Sequence, residues 1–420
     1  MLTIDCANIG CFFTFTYLFL GITRNIRPVT IRPVWVTNFG FEFKFGRDRG
    51  LARGELLKIK DVRVSVHRFE TVLPIINRPG PAETRVICEI ETDNGYVGVG
   101  MTARFLCHAV AEAVRHYIAP ELKDMDPRDL EAIHARLSAI LSERGLTNGV
   151  NLMALSCVDL ALWDLIGLSG HRTVAELLGG FRDRADVYVT FGYFTYDTDA
   201  LVEFGRALVA QGHSRFKMLV GSKEGLRVDV ARVRAMRDGL GDDVAIAIDA
   251  NESLSGHQAT QLCGLLEDQD IAWFEDPLLN NDPRDLAAMR SRTSIPVAAG
   301  QMDGDGRRFR EFIEHDALDI FMPNSMYNGG MTETMRVAHL SQIYNRPLSD
   351  AGGGGIYCLH HVAGFRNGTL AEWNVCTEQV ERVLFIDPPT PNGGQLRVPS
   401  ASGFGVRLNR DALKETLVRT

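Results

Sequence analysis

The sequence predicts an α/β fold, a (β/α)8 TIM-type barrel preceded by an N-terminal α+β capping domain. Eight short apolar runs alternate with helical stretches after Gly180, which is the pattern of eight strand-helix units. Polar residues stand at the ends of these runs, where barrels of this kind place their chemistry. A doubly wound sheet shows the same alternation, so the count of units favours the barrel without proving it. The run ends are 22 to 32 residues apart and fall near Tyr193, Lys217, Asp249, Glu275, Gln301, Asn324, Asp350 and Glu372.

The segment before the barrel has the pattern of a small α+β domain. Residues 58–70 (KIKDVRVSVHRFE) alternate between apolar and polar, as a half-buried strand does. Two further strands are joined through an Asp-Asn-Gly turn at residues 93–95, which is a strong hairpin signal. Helical periodicity follows over about residues 108–142 and 152–168. We therefore place the capping domain at residues 57–180.

The first 56 residues are predicted to be an extension of uncertain role. Residues 9–22 are apolar and aromatic, but these 14 residues are fewer than the ~20 that span a bilayer. Asp5 precedes this stretch and arginines follow it, which is the reverse of a secretory signal peptide. A non-functional extension, a targeting segment and a packed arm all stay open.

Composition and charge exclude some classes of partner. The 420 residues carry a net charge of −8, with 45% hydrophobic and 23% charged residues, as in a soluble globular protein. The acidic balance argues against nucleic-acid and membrane partners, so an acidic substrate would need a local positive centre. The eight cysteines are scattered without CxxC spacing, which indicates reduced, mostly buried thiols in a cytoplasmic protein.

Three motifs follow successive predicted strands: IDAN at residues 248–251, WFEDP at 273–277 and PVAAGQ at 296–301. With FKMLVG before them and LAEWN after them, they make the chain similar to the enolase superfamily, in its mandelate racemase-like branch. The similarity covers about Leu57 to Val406. It includes ALWDLIG and LLGG before the barrel, and VPSASGFGV near the end of the chain.

The resemblance implies a barrel at residues 181–389 and a capping domain completed by about residues 390–420. It also implies abstraction of the α-proton of a small carboxylate substrate, with Mg²⁺ as cofactor and Mn²⁺ as an alternative. Proton removal places negative charge on the carboxylate oxygens, and a hard divalent cation held by oxygen ligands can stabilise that charge. We expect a homo-oligomer.

The resemblance assigns the metal ligands by position. Asp249 and Glu275 match the first two ligands, and Asn251 matches a position that supports the metal, with a helix cap as the alternative. The third ligand of the family is an acid, but this chain has Gln301. An amide oxygen coordinates Mg²⁺ without charge, so we expect the protein charge at the metal to fall from about −3 to about −2. A substrate with extra negative charge would compensate for that loss.

Lys217 matches the first lysine of the family's Lys-x-Lys pair, and Leu219 replaces the second. Because alternate residues of a strand point to one face, Lys217 is the only ammonium expected there, as base or as carboxylate clamp. Glu372 matches an acid that binds the substrate carboxylate when protonated, and we expect burial to raise its pKa. Arg104, in a capping-domain loop, is a candidate to bind a distal anion of the substrate.

The opposite face of the substrate lacks its usual base. Relatives pair a histidine on strand seven with an aspartate on strand six, but here the strands end near Asp350 and Asn324. Asp350 can act as acid or base, and the glycine run 352–355 could bring His360 or His361 over the barrel mouth. We expect Asn324 to bind substrate or to support the residues that do.

Three functions remain in competition. Dehydration of a sugar acid or hydroxy acid to a 2-keto-3-deoxy acid is preferred, which makes the protein a lyase. A racemase, epimerase or cycloisomerase is the runner-up, because racemisation needs a base on each face and this chain lacks both the second lysine and the His-Asp pair. A barrel that has lost catalysis and only binds a ligand is the third.

Overall fold

An antiparallel three-stranded sheet forms the N-terminal part of the described chain. The computed structural model describes residues 57–141 and 149–418, so the predicted extension at residues 1–56 lies outside it. The strands of this part are β1 (Ile59–Phe69), β2 (Val72–Leu73), β3 (Arg78–Pro79), β4 (Glu83–Thr92) and β5 (Val97–Ala103). The sheet has the order β1-β4-β5, and the predicted hairpin joins β4 to β5, with Gly95 at φ 89° in the turn.

Helices cover one face of this sheet. They are α1 (Cys107–Ala113), which continues into a π-helical turn (Val114–Ile118), α2 (Ala119–Leu122), α3 (Leu130–Leu141), α4 (Val150–Gly170) and α5 (Val174–Leu177). α4 approaches β5 closely, because a Cβ at Gly98 or Gly100 would collide with its backbone. α4 is also long and apolar enough to cross a membrane, but 83% of its most apolar stretch is buried inside the protein. It is therefore the core helix of this part of the chain.

Parallel strands in sequential order form the barrel. They are β6 (Arg184–Gly192), β7 (Arg215–Leu219), β8 (Ala245–Asp249), β9 (Ile271–Glu275), β10 (Val297–Ala299), β11 (Ile320–Phe321) and β12 (Leu370–Asn374). β12 pairs with β6 and so joins the last strand to the first. The seventh strand position is reduced to Leu348, which bridges Phe321 on one side and Gly368 on the other. The predicted barrel of eight strand positions is therefore confirmed.

A helix follows each strand position. These helices are α6 (Thr198–Ala210), α7 (Leu226–Leu240), α8 (Gly256–Leu265), α9 (Pro283–Arg290), α10 (Gly306–Glu314), α11 (Met331–Ile343), α12 (Gly355–Gly364) and α13 (Val375–Leu384). Short 3₁₀ turns lie at Glu267–Gln269 and Leu279–Asn281. Side-chain caps fix several starts, since Asp197, Ser255, Asp282 and Asp305 each accept a hydrogen bond from a backbone N–H of the first turn.

The C-terminal segment returns to the N-terminal sheet. β13 (Gln395–Arg397) runs antiparallel to β6, and α14 (Arg410–Thr416) follows it. Leu417 then bridges His67 on β1, and the Val418 N–H donates to the Val66 carbonyl at 2.9 Å.

The strand ends match the predicted positions closely. β8 ends at Asp249 and β9 at Glu275, whereas β7 extends to Leu219 and β10 stops at Ala299, two residues before Gln301. A separate apolar cluster fills the barrel interior below these ends, formed by Tyr188, Ala247, Trp273, Ala298, Met322 and Ala351. The six cysteines of the described chain are buried and free, as predicted.

A buried ion pair joins two helices of the N-terminal part and is hydrogen-bonded to a barrel helix. His134 on α3 lies 2.5 Å from Asp159 on α4, between Nε2 and Oδ1. Asp159 also accepts hydrogen bonds from the backbone N–H and the hydroxyl of Thr332 on α11, at 3.0 and 2.6 Å. Burial lowers the pKa of His134, but the interaction with the Asp159 carboxylate raises it by more than burial lowers it. The pKa of His134 therefore lies above its ordinary value.

Replacing His134 by Gln should therefore change how stability depends on pH. The raised pKa of folded His134 means that its protonated pair stabilises the fold fully below about pH 6.5 and less as the pH rises through the folded pKa. We expect His134→Gln to lower the free energy of unfolding by about 1–2 kcal/mol at low pH and by less at high pH. Urea unfolding at several pH values measures this difference, and a constant difference across the series would contradict the assignment.

Candidate active site

A cavity of about 310 Å³ opens at the carboxyl ends of the barrel strands. The N-terminal part of the chain supplies one wall, with Pro81, Ala82, Glu83, Arg104 and Phe105. The barrel supplies the rest, with Thr190, Tyr193, Lys217, Leu219, Asp249, Asn251, Gln301, Gly352, Glu372 and Asn374. Six of the ten predicted site residues therefore line one cavity. The other four are Glu275, Asn324, Asp350 and His360, which lie behind its surface.

Lys217 lies at the centre of a group of carboxylates. Its ammonium is 3.1 Å from Asp249, 3.2 Å from Glu372 and in hydrogen-bond contact with Glu275. Strand register explains the convergence, because Leu219 pairs with Asp249 and Asp249 pairs with Glu275 on the neighbouring strand. The side chain is only 1% exposed. Both Lys217 and Leu219 line the cavity, as the period-two argument predicts.

The charge balance around Lys217 favours its protonated form. Burial lowers the pKa of Lys217, but Glu275, Glu372 and Asp249 together raise it well above the ordinary value. The floor of the site is aromatic, with the Lys217 ammonium 5.3 Å from the centre of the Tyr188 ring.

Asp276 joins Asp249 and Glu275 in a tight acidic group that the sequence reasoning missed. Ligand oxygens of these three buried residues all lie within 4.8 Å of one another. Burial and the nearby Asp249 charge raise the pKa of Asp276 to about 7. The predicted ligand Gln301 is adjacent, since its side-chain N–H donates to Asp276. WFEDP offered the signal, because the aspartate directly follows the predicted ligand.

Asn251 lies at the cavity edge. It is exposed, and its backbone N–H donates to Oδ1 of Asp249 at 2.8 Å. Its φ of 45° turns the chain sharply after β8. This hydrogen bond orients one oxygen of Asp249 and leaves the other, Oδ2, beside Lys217.

Glu372 is ionised in this arrangement, which is the opposite of the expected shift. It accepts hydrogen bonds from the Thr190 hydroxyl at 2.6 Å and from the Gly353 backbone N–H. Burial raises its pKa, but Lys217 and these hydrogen bonds lower it more, so the pKa lies below its ordinary value. Burial alone, which was the basis of the expectation, does not decide the outcome. Thr190 was missed, although it lies two residues after the inward-facing Tyr188.

Asp350 and Asn324 are structural braces and do not line the cavity. One oxygen of Asp350 accepts the Glu372 backbone N–H at 2.8 Å, and the side chain is fully buried. Burial, followed by the charge of Glu372, raises the pKa of Asp350 well above its ordinary value. Asn324 donates to the Ala351 carbonyl at 2.6 Å and accepts the Met326 N–H at 2.9 Å. Both side chains lie outside the cavity lining, and their direct roles in acid-base chemistry or substrate binding stay predictions.

His360 and His361 lie on α12 and not over the barrel mouth. The two ring nitrogens of His360 contact the Ala175 N–H at 3.0 Å and the Phe404 carbonyl at 3.1 Å. His361 is fully buried as well. Burial lowers the pKa of His360 to about 4 and that of His361 to about 3. The expectation that one of them supplies the missing base is wrong, because the helix turns both into the core.

Arg104 places a positive charge on the capping wall. Glu83 makes a buried ion pair with Arg85 at 2.6 Å, and the Nε of Arg104 lies 3.4 Å from the same carboxylate. Burial lowers the pKa of Arg104, but the neighbouring Tyr327 and Glu83 raise it more, and the guanidinium stays charged. Arg104 therefore interacts with Glu83 and Glu372, and it lines the cavity, where it can also meet an anionic group of a substrate.

The glycine run 352–355 forms another wall. A Cβ at Gly352 would collide with Oε1 of Gln301, and one at Gly353 would collide with Thr377. Both glycines have positive φ, at 76° and 66°, which side-chain-bearing residues rarely adopt. The run therefore lets the backbone approach the polar groups of the site, and it delivers the Gly353 N–H to Glu372.

The donor set fits a hard divalent cation. Four carboxylates, from Asp249, Glu275, Asp276 and Glu372, face one ammonium, so full ionisation would leave a surplus of three negative charges. Buried like charges are costly unless a cation compensates them. Carboxylate and amide oxygens are the ligands that Mg²⁺ takes in proteins.

Comparison with known proteins agrees with this geometry. Residues 200–412 match the enolase C-terminal domain-like family, and residues 78–179 match the N-terminal domain of mandelate racemase and muconate lactonizing enzyme. The chain therefore belongs to the enolase superfamily, in its mandelate racemase-like branch. The family and the fold that the sequence predicts are thereby confirmed.

Individual relatives carry names of lyases and isomerases. Arabinonate dehydratase of Saccharolobus solfataricus is 28% identical, over 79% of this chain and 90% of the relative. D-galactarolactone cycloisomerase of Agrobacterium fabrum is 27% identical, over 86% of this chain and 98% of the relative. The crystal structure of L-talarate dehydratase from Polaromonas, with Mg and L-glucarate, superposes with a TM-score of 0.77 at 27% identity, covering 86% and 98% of the two chains. These names agree with the predicted enzyme class, a lyase or an isomerase.

Mg²⁺ should stabilise the folded protein through the acidic group. A Mg²⁺ concentration 100-fold above its Kd should add about 2.7 kcal/mol to the free energy of unfolding. Asp249→Asn removes one anionic ligand and should abolish this gain, which thermal unfolding with and without Mg²⁺ measures. Asp61→Asn, at an exposed acid on β1, should respond like the wild type. An undiminished Mg²⁺ effect in Asp249→Asn would refute the metal assignment.

Proposed function

We propose that the protein dehydrates a sugar acid or related hydroxy acid to a 2-keto-3-deoxy acid, with Mg²⁺ as cofactor. The observation that carries this proposal is the position of Lys217. Among the described residues that line the cavity, it is the only amine or imidazole. One base suits an elimination, whereas racemisation needs a base on each face of the substrate.

Asp249 and Glu275 are the metal ligands in this proposal, and Gln301 presents its amide beside them. When bound, the cation supplies positive charge that stabilises the negative charge developing on the substrate carboxylate. The carboxylates that now hold Lys217 as an ammonium are the same ones that we assign to the cation. Deprotonation of Lys217 is therefore coupled to cation binding.

Lys217 takes the α-proton as a neutral amine and becomes an ammonium. It can then give that proton to the hydroxyl that leaves the neighbouring carbon, so that water departs and the enol of the 2-keto acid remains. Glu372, ionised and held by Thr190 and Gly353, positions the ammonium at 3.2 Å. Asp350 fixes Glu372 in turn through its backbone N–H.

Incubation of the protein with a panel of acid sugars and Mg²⁺ tests the proposal. The expected product has lost one water and reacts as a 2-keto acid. Cycloisomerisation is the second candidate, because the galactarolactone relative covers 86% of this chain and a single base also suits that reaction. A product with the mass of the substrate would favour it. No reaction with any acid sugar in the presence of Mg²⁺ would favour a binding protein.

Removal of Lys217 should separate its two possible roles. Lys217→Met should lower kcat by about 10²- to 10⁴-fold and abolish exchange of the substrate α-proton in D₂O, while Mg²⁺ still binds. If the lysine only clamps the carboxylate, exchange should persist at saturating substrate and the loss should appear mainly in KM. Lys223→Met, at an exposed lysine of the next loop, is the control. Near-normal kcat with exchange intact in Lys217→Met would contradict the assignment.

Arg104 is proposed to bind a second anionic group at the distal end of the substrate. Loss of a charged hydrogen bond costs about 1.5–3 kcal/mol, so Arg104→Gln should raise KM for a diacid sugar by about 10- to 100-fold. A monoacid of the same length should be affected little, and Arg104→Lys should retain part of the preference. Steady-state kinetics with matched diacid and monoacid substrates measure this. Equal losses for the two substrates would refute the role.

The remaining sequence predictions concern the whole protein. A homo-oligomeric, cytoplasmic enzyme with the stated domain bounds, and without nucleic-acid or membrane partners, stays our prediction.

A further inference from the structure

We infer that Asp276 is the third anionic ligand of the metal site and that Gln301 orients it, an inference that rests on the proposed Mg²⁺-dependent function. Gln301 stands where the resemblance leads us to expect an acid, and Asp276, the residue after β9, adds a third negative charge to the acidic group. The loss of charge that Gln301 implied in the sequence is thereby offset.

The carboxylate of Asp276 lies inside the acidic group. Asp276 is 1% exposed, and its carboxylate lies within 4.8 Å of ligand oxygens of both Asp249 and Glu275. Consecutive side chains of an extended strand point to opposite faces, so Glu275 and Asp276 could not converge if β9 continued. Asp276 has a φ of 40°, in the left-handed region, and this turn brings its carboxylate to the side of Glu275.

The side-chain amide of Gln301 orients Asp276. Its side-chain N–H donates to Oδ2 of Asp276, so the amide nitrogen is committed. Its Oε1 accepts no hydrogen bond from the described residues. The residue is only 7% exposed, and it lines the cavity. That oxygen is available to a cation bound beside the acidic group, because amide oxygens are among the ligands that Mg²⁺ accepts.

The two oxygens of Asp276 are both held in place. Oδ1 accepts a hydrogen bond from Asn281 at 2.9 Å, and the same amide donates to Asp303 at 3.2 Å. A carboxylate oxygen accepts more than one interaction, so one hydrogen bond on each leaves capacity for a cation. A glutamate at position 301 would instead place a second negative charge against Asp276. The amide at 301 and the acid at 276 therefore form a matched pair.

Exchange of the two groups tests the inference. Asp276→Asn should weaken Mg²⁺ binding to the full-length protein at least tenfold, measured by titration calorimetry with Mg²⁺ alone. The double variant Asp276→Asn with Gln301→Glu returns the charge to position 301 and keeps an amide opposite it. It should bind Mg²⁺ within threefold of the wild type.

Asp303→Asn is the matched control, because Asp303 is bonded to the same Asn281 but lies outside the acidic group. It should bind Mg²⁺ within threefold of the wild type, and circular dichroism should show all variants folded. Binding within threefold of the wild type in Asp276→Asn, while Asp249→Asn loses Mg²⁺, would overturn the inference alone. A loss that the double variant does not repair would overturn it as well, since the cause would be packing and not charge. Absence of Mg²⁺ binding by the wild type would overturn the proposed function together with it.

Discussion

Buried carboxylates at the ends of neighbouring barrel strands repel one another, and the site depends on how that repulsion is balanced. Lys217 contacts Asp249, Glu275 and Glu372 together. An ion pair in the interior is stabilising only when its geometry is good and its remaining polar atoms are satisfied. The barrel meets this condition, because the pairing of the strands fixes the backbone position from which each carboxylate projects. Trp273, Thr190 and backbone N–H groups then occupy further carboxylate oxygens.

The parts of the site that could be predicted are those decided by strand periodicity. Asp249 and Glu275 end apolar runs, and parallel strands place such ends at one edge of a barrel. Lys217 and Leu219 share a face because side chains alternate along a strand. The barrel itself followed from eight regularly spaced units, and its one weak strand, reduced to Leu348, still stands at the predicted position.

The parts that could not be predicted depend on local geometry that no periodicity encodes. His360 and His361 follow a flexible-looking glycine run, yet the direction of α12 turns both rings into the core. Strand alternation would point Asp276 away from Glu275, and its left-handed backbone reverses this direction. The pKa of Glu372 depends on the balance between burial and the Lys217 charge, and only distances reveal which is larger. Asp350 lies beside Glu372, and its hydrogen bond to the Glu372 backbone N–H makes it a support for that strand.

The glycine run has a consequence for how such an enzyme can diversify. Side chains introduced at Gly352, Gly353 or Gly355 would have to adopt a left-handed backbone and also displace a polar partner. Single substitutions in this glycine run are therefore poor sources of new substrate specificity, because each would strain the backbone and displace a polar group. The capping-domain wall is open, because Phe105 is 51% exposed and loop residues surround it. New substrate ranges, whether in natural lineages or in laboratory libraries, should therefore arise from residues 81–82 and 104–105.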